Sequence, residues 1–231
     1  PMAMVFRVLE KLEVHQYPHE PKPVGGYGAG VAVLEDEGFI AVEKIGKVDA
    51  SPARHLSEIV RNDKASFLVG HVRMPSPEFM ESASFKETAQ PYVAKCYPDL
   101  TVVSAHNGKV TNYKEIREKL SDTHNFESEK VELVDSEVIP HLFEELLREK
   151  GMVDDALDAL FSALEGSNAV SILRTGNGGR SLHFIHKGKT RGLTIWTNEQ
   201  NEIIFCSRKE PLTREFGEIL FSRKFEEKVV I

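Results

Sequence analysis

The spacing of apolar residues changes along the chain, and this change constrains the fold more than any other feature. Over 136–164, apolar side chains recur at three- and four-residue steps, which predicts two amphipathic helices separated by Gly151. Over the last third, four apolar runs are separated by turns: NAVSILR, SLHFIHKG, LTIWTN and EIIFCS. Helices followed by a run of strands predict an α+β fold whose last third forms an antiparallel sheet.

The first part of the chain mixes both patterns. The opening segment PMAMVFRVLEKLE has helical spacing, and a proline- and glycine-rich loop then leads to the strand-like runs AGVAVL and GFIAVEKIG. Ser51 is expected to cap a helix over 52–62, while SFLVGHVR and TVVSAH are expected to be buried strands. Asn112 or Thr111 is expected to cap the next short helix. Since no repeat or linker interrupts these elements, we expect 1–231 to form a single domain.

Charge and apolar content exclude several classes of protein. The chain carries 29 Lys and Arg against 36 Asp and Glu, and its basic residues are scattered singly, which argues against a nucleic-acid partner. No apolar run reaches the roughly 20 residues that a membrane-spanning helix needs. The opening segment is charged where a signal peptide would be apolar. We therefore expect a cytoplasmic protein with no membrane partner.

The cysteine pattern suggests no metal site. Cys96 and Cys206 are far apart in the sequence and form no CxxC pair, so neither a disulfide framework nor a zinc cluster is predicted. Cys206 lies in an apolar run and is expected to be a small core residue, whereas Cys96 is expected in a loop.

Three segments place polar groups at the end of an apolar strand or the start of a helix: GHVRMPS, HNGKVTNY and DSEVIPHL. Arg73 can bind a carboxylate bidentately, and Asp135 can bind an ammonium group. Asn107 and Gly108 can offer a side-chain amide and a backbone N–H to a developing oxyanion. These groups suit a free amino acid, but Arg73 and Asp135 could equally form an internal ion pair and Asn107-Gly108 a turn. Residue chemistry alone leaves both interpretations open.

Five segments follow one another over most of the chain: GGYGAGVAVL, GHVRMPS, AQPYV, SAHNGKVTNYKEIREKL and DSEVIPHL. In this order they resemble the motifs of the class II glutamine amidotransferases, whose amidohydrolase domain is of the amino-terminal-nucleophile (Ntn) type. The final FCSRKEPL and GEILFS resemble the closing hairpin of that family. The resemblance implies a four-layer αββα fold with two stacked, mostly antiparallel sheets, and it implies that no metal or organic cofactor is needed.

The resemblance also implies roles for individual residues. Arg73 would bind the α-carboxylate of glutamine, and Asp135 would bind its α-ammonium group. The Asn107 amide and the Gly108 N–H would form the oxyanion hole.

Ser76 and His106 are further expected substrate contacts. Ser76 falls where the family often has a hydroxyl near the substrate carboxylate. Pro75 and Pro77, however, depart from the Trp-Ala-Thr-His run that is usual in the family.

The family's nucleophile is a cysteine at the mature amino terminus, whereas this sequence begins with Pro1 in a helix-like segment. We therefore expect a strand that carries this cysteine to precede Pro1. The implied activity is hydrolysis of glutamine to glutamate and ammonia through a thioester, with the ammonia passed to a synthase subunit. Copies of the chain could also associate as a homo-oligomer.

Two alternatives stay open. A regulatory or scaffold protein that binds glutamine would keep Arg73, Asp135, Asn107 and Gly108 but would have no nucleophile. An Ntn hydrolase of another substrate class would use a Ser or Thr nucleophile and would not need Asp135.

Overall fold

The computed structural model describes residues 2–35, 40–60, 65–120 and 122–230. The helices are α1 (Met2–Val14), α2 (Pro52–Ile59), α3 (Tyr113–Lys119), α4 (Val138–Lys150), α5 (Val153–Ala163) and α6 (Lys209–Ser222). The strands are β1 (Gly28–Glu35), β2 (Ile40–Gly46), β3 (Ala65–Val72), β4 (Tyr92–Ala94), β5 (Leu100–Gly108), β6 (Asn168–Gly176), β7 (Gly179–Lys187), β8 (Leu193–Thr197), β9 (Ile203–Cys206) and β10 (Glu226–Val230). In these ranges we find no helix whose length and apolar character would let it cross a membrane.

The strands form three antiparallel sheets, with the orders β2-β1-β3, β10-β8-β9 and β4-β5-β6-β7. β1 and β2, which were predicted as strands, pair with each other. The last third, however, does not form one sheet as predicted. β6 and β7 extend the sheet of β5, whereas β8 and β9 belong with β10. Alternation of apolar residues identifies a strand and its buried face but not its partner strand.

Three apolar clusters show that the domain has four layers. α1, α2 and α6 pack on one face of the two three-stranded sheets. The other face packs against the four-stranded sheet through side chains such as Val69 and Leu173. α3, α4 and α5 cover the outer face of the four-stranded sheet. This order of helices, sheet, sheet and helices confirms the expected α+β sandwich.

The two predicted helix caps differ in the structure. Ser51 caps α2 as expected, since its Oγ accepts a hydrogen bond from the backbone N–H of Arg54 at 3.0 Å. Asn112 precedes α3, but its side chain does not cap that helix. Its amide instead donates to the Ala163 carbonyl at 2.9 Å and accepts from the Glu165 N–H at 3.2 Å. Asn112 thus ties the start of α3 to the end of α5.

The expected closing hairpin is wrong for the segment GEILFS, which lies in α6. Leu212, Phe216 and Leu220 recur at helical spacing and join the apolar cluster that contains α1. Burial of this apolar stripe favours a helix at these residues. The strand that follows, β10, pairs with β8.

Candidate active site

The three polar segments singled out from the sequence lie together at one end of the sandwich. Lys109, which follows β5, forms an ion pair with Glu78, which follows β3, and their Nζ and Oε2 atoms are 2.7 Å apart. Asp135 begins the short turn that leads into α4, and its Oδ2 accepts a hydrogen bond from the Val110 N–H at 2.8 Å. These contacts bring the end of β3, the end of β5 and the start of α4 to one place.

Arg73 directly follows β3 and is only 5% exposed. Its backbone N–H donates to the Gly28 carbonyl at 2.8 Å, and its carbonyl accepts from the Tyr27 N–H at 3.1 Å. Nη1 donates to the hydroxyl oxygen of Thr88, whereas the buried Nη2 has no hydrogen-bond partner in the described ranges. Burial lowers the pKa of Arg73, but a guanidinium group remains charged in proteins. A buried guanidinium with free N–H groups can bind an anion.

Asp135 is 6% exposed, and burial raises the pKa of its carboxyl group to about 6. Its charge acts on Arg73, since it favours the charged form of that guanidinium. The two side chains nevertheless form no ion pair in the described structure, because Nη1 of Arg73 bonds Thr88 and Nη2 bonds nothing. The internal ion pair that the sequence left open is therefore not formed. Two buried, opposite and unpaired charges suit a zwitterionic ligand.

The backbone N–H of Gly108 points away from β6. β5 and β6 pair in regular register up to Gly108, and the next N–H, that of Lys109, donates to the Ser167 carbonyl at 3.2 Å. Because N–H groups alternate in direction along an antiparallel strand, the N–H groups of His106 and Gly108 point the other way. That of His106 donates accordingly to Oε1 of Gln90 at 2.8 Å. The Gly108 N–H is thus available on the side of β5 away from β6.

Only glycine fits at position 108. A Cβ atom there would lie 2.3 Å from the Ser167 carbonyl oxygen and 2.5 Å from Nε2 of His106. Asn107 and Gly108 continue β5 rather than forming a turn. The Asn107 side chain lies on the same face of β5 as Val103, which packs between the two sheet layers. The Asn107 amide therefore faces the space between the sheets.

His106 is the centre of a buried hydrogen-bond network. Its Nδ1 lies 2.8 Å from Oγ of Ser136, and its Nε2 lies 2.8 Å from Oδ1 of Asn168. The Gln90 amide bonds the backbone N–H and carbonyl of His106 at 2.8 and 3.0 Å. Burial lowers the pKa of His106 to about 4, so the ring is neutral. The network fixes β5 against Ser136, the neighbour of Asp135.

Gln90 and Asn168 were missed in the sequence analysis, although Gln90 lies in the AQPYV segment.

Ser76 lies at the same end of the sandwich and is half-buried. It begins the short turn Pro77–Phe79, and its carbonyl accepts a hydrogen bond from the Phe79 N–H at 2.9 Å. Through Glu78, this turn is joined to Lys109. Ser76 is thus held by a segment that contacts the residue after Gly108.

An apolar cleft lies between β3 and β9 and reaches this site. α1 and α6 form one wall and β5 and β6 the other, and Asn107 and His71 are among the lining residues. β3 and β9 are edge strands of two different sheets. Within the described ranges each pairs with one strand only, so the backbone N–H and carbonyl groups along its other edge have no partner strand. The cleft therefore offers two strand edges and an apolar lining.

Neither cysteine of the chain has the properties of a nucleophile at this site. Cys206 lines the cleft, but burial raises the pKa of its thiol to about 11, which disfavours the reactive thiolate. Cys96 is not among the residues that line the cleft. Its Sγ lies 3.5 Å from Nδ1 of His141 on α4.

Cys96 belongs to a second group of residues that the sequence analysis missed. Its members are Cys96, His124, His141 and Glu144, and one ligand atom from each lies within 4.8 Å of the others. The expectation of no zinc cluster depended on the lack of a CxxC pair. The spacing His141-x-x-Glu144 on a predicted helix is the signal that could have found this group, since it places both residues on one face.

Comparison with known proteins identifies the family. A family model described as a glutamine amidotransferase domain matches residues 80–214, which is more than half of the chain. The chain belongs to the class II glutamine amidotransferase family. This amidotransferase domain is 31% identical over 186 residues to the glutamine–fructose-6-phosphate aminotransferase (isomerizing) of Sulfurisphaera tokodaii. It is 30% identical over 219 residues to the enzyme of the same name from Sulfolobus acidocaldarius.

These alignments cover 80% and 93% of this chain but only 27% and 29% of the two relatives. The chain thus spans less than a third of the length of these curated relatives.

Two solved structures have a similar fold. One is described as the allosteric regulatory enzyme of purine biosynthesis, with a TM-score of 0.61. The other is the glutamine phosphoribosylpyrophosphate amidotransferase from B. subtilis in complex with ADP and GMP, with a TM-score of 0.57. Each is 19% identical and covers 93% of the amidotransferase domain, which in turn covers 40% of each of those chains. At this identity they support the Ntn fold alone.

Proposed function

We propose that the amidotransferase domain binds free glutamine and hydrolyses it to glutamate and ammonia. The observation that carries this proposal is that Arg73 and Asp135 are both buried and form no ion pair with each other in the described structure. The α-carboxylate of glutamine on Arg73 and its α-ammonium group on Asp135 would compensate both charges. A ligand with only one of these groups would leave the other protein charge uncompensated. The arrangement therefore favours a free amino acid.

Asn107 and Gly108 are proposed to stabilise the oxyanion that forms on the side-chain amide of glutamine. The support is the direction of the Gly108 N–H, away from β6, and the position of the Asn107 amide between the sheets. Ser76 is proposed as a further contact to the substrate. His106 is a positioning residue in this proposal, because both of its ring nitrogens bond other side chains.

The nucleophile is proposed to be a cysteine on an extended segment that occupies the cleft between β3 and β9. A strand in the cleft could pair with both edges and so join the two three-stranded sheets into one. Its apolar side chains would contact the lining that α1 and α6 provide. Because Asn107 lines the cleft, a residue of this strand could reach the proposed oxyanion hole. We place this segment before Pro1.

The proposed reaction has two steps. The thiol proton passes to the α-amine of the cysteine, and the thiolate attacks the amide carbon to form a C–S bond and an oxyanion. When the oxyanion collapses, the C–N bond breaks and the proton passes from the amine to the leaving ammonia. Water then attacks the thioester, the C–S bond breaks, and glutamate and the free thiol are released.

The ammonia is proposed to pass to a synthase domain or subunit outside this sequence. The curated relatives are named for amino transfer to fructose 6-phosphate, and this chain matches only a part of each.

Glutamine binding and glutaminase activity of the full-length protein test this proposal together. We expect calorimetry to show binding of L-glutamine, and we expect ammonia to be released. Arg73→Ala should weaken binding. Arg117→Ala is the matched control, because Arg117 forms an ion pair with Glu129, with Nε and Oε1 2.6 Å apart, and takes no part in the proposed site. Binding without turnover would instead support the regulatory or scaffold alternative. Absence of binding would contradict both.

A further inference from the structure

Four metal-binding side chains from three parts of the chain meet behind β4. Cys96 follows β4, His124 lies between α3 and α4, and His141 and Glu144 share one face of α4. The histidines and Glu144 are 2% exposed or less. Such a set of buried nitrogen and oxygen atoms is costly unless its members are bonded to one another or to a cation.

Three of the six distances between the ligand atoms are close to those of a tetrahedral metal site, and all six are at most 4.8 Å. The Nδ1 atoms of His124 and His141 are 3.2 Å apart, and Sγ of Cys96 lies 3.5 Å from Nδ1 of His141. Oε2 of Glu144 lies 3.6 Å from Nδ1 of His124. A tetrahedral zinc ion with Zn–N of about 2.0 Å and Zn–S of about 2.3 Å holds its ligand atoms roughly 3.3 to 3.6 Å apart.

A hydrogen bond to Glu145 orients the ring of His124. Its Nε2 lies 3.1 Å from Oε2 of Glu145, and an unprotonated nitrogen could not donate to that carboxylate. In the neutral ring the proton is therefore on Nε2, and the lone pair of Nδ1 faces the cluster. The same arrangement, a carboxylate that holds the outer N–H of a ligating histidine, is usual at zinc sites.

Glu144 is also placed as a metal ligand. Its Oε1 accepts hydrogen bonds from the backbone N–H groups of Cys96 and Tyr97, at 2.8 and 3.1 Å. Its Oε2 is buried and has no hydrogen-bond partner in the described part of the chain. The hydrogen bonds to the first oxygen thus fix the carboxylate, while the second oxygen is directed at the cluster, 3.6 Å from Nδ1 of His124.

We propose that Cys96, His124, His141 and Glu144 bind one structural zinc ion. One thiolate, two imidazoles and one carboxylate are ligands that zinc accepts, and four protein ligands complete a tetrahedral site. The ion ties the segment around His124 and the end of β4 to α4. Since α4 directly follows the turn of Asp135, the proposed zinc ion would hold the helix that adjoins the substrate site.

Metal analysis of the full-length protein, expressed with added zinc and dialysed, tests the proposal. We expect about one zinc ion per chain in the wild type and a near-complete loss in Cys96→Ser. Cys206→Ser changes a thiol that lies outside the cluster and is the matched control, which should keep its zinc. Equal zinc content in all three proteins would overturn the assignment of Cys96.

Cobalt substitution provides a measurement that does not depend on how a variant folds. Wild-type protein loaded with Co²⁺ should show the intense visible bands of a tetrahedral site and a thiolate charge-transfer band. Removal of zinc by a chelator should lower the melting temperature of the wild type and of Cys206→Ser. A full-length protein that keeps no zinc, shows no tetrahedral cobalt spectrum and melts at the same temperature with a chelator would contradict the proposal.

Discussion

Arg73 and Asp135 are buried to nearly the same extent, at 5% and 6% exposure, yet they do not pair with each other. Arg73 uses one terminal nitrogen to bond Thr88, and Asp135 uses one oxygen to bond the Val110 N–H. The cost of burying each charge is therefore only partly offset by the other. A bound glutamine zwitterion would offset the cost of burying both charges.

Arg73 should recognise the α-carboxylate of glutamine. We expect Arg73→Ala to raise KM by about 30-fold to 1000-fold, which corresponds to about 2 to 4 kcal/mol of lost ion-pair binding. Glutamine methyl ester, which lacks the carboxylate charge, should bind the wild type weakly. The preference for glutamine over its ester should disappear in Arg73→Ala and persist in Arg117→Ala. If Arg73→Ala kept that preference, the carboxylate would bind elsewhere.

The ionisation of Asp135 should control substrate binding near pH 6. Burial and, to a smaller extent, the charge of Glu78 raise the pKa of Asp135 to about 6, although backbone hydrogen bonds from Val110 and Ser136 and the charge of Lys109 oppose this shift. As the pH falls through this value, Asp135 gains a proton and loses its attraction for the α-ammonium group. We therefore expect KM for glutamine to rise below about pH 6 in the wild type. Asp135→Asn should have a high KM with no such dependence, as a pH series of initial rates would show.

Asp135 should also reduce the stability of the domain at neutral pH. Because its pKa is higher in the folded state than the usual 3.8, the folded protein holds this proton more tightly than the unfolded chain. The contribution of Asp135 to stability is thus lost as the pH rises from about 4 to about 6. We expect Asp135→Asn to be more stable than the wild type at pH 7 by roughly 1 to 3 kcal/mol. Urea unfolding at pH 4 and pH 7 measures this, and a difference that does not change with pH would contradict it.

Asn107 should act on the chemical step rather than on binding. We expect Asn107→Ala to lower kcat by about 100-fold or more and to leave KM for glutamine nearly unchanged. An unchanged melting temperature would show that β5 is intact. His106→Ala, by contrast, should lower the melting temperature, because Ser136 and Asn168 would each lose a buried partner. A normal kcat in Asn107→Ala would remove this residue from the oxyanion hole.

Local sequence patterns predicted most individual elements but not their partners. The helical spacing around Leu9 and the capping position of Ser51 reflect contacts within a few residues, and both predictions are confirmed. The division of β6 to β9 between two sheets depends on contacts far apart in the sequence. The short strand β4 lies in a region with no clear period and was not predicted. The family resemblance, in turn, gave the αββα arrangement but placed a hairpin where α6 forms.

For the candidate site, too, the sequence indicated individual residues but not the contacts between them. The resemblance suggested roles for Arg73 and Asp135, and the structure shows that they stay unpaired. The bonds of His106 to Ser136 and Asn168 join residues far apart in the sequence, so its positioning role could not be read from its motif. Cys96 and His124 approach α4 only after folding. For this reason the proposed zinc site has no contiguous motif.

The most direct test of the proposed function is the intact mass of the full-length protein before and after incubation with 6-diazo-5-oxonorleucine. This glutamine analogue alkylates a nucleophile that lies beside a bound amino acid. The account predicts one adduct, located by peptide mapping on a cysteine before Pro1, and a slower reaction in Arg73→Ala. No adduct, or an adduct on Cys96 or Cys206, would contradict it.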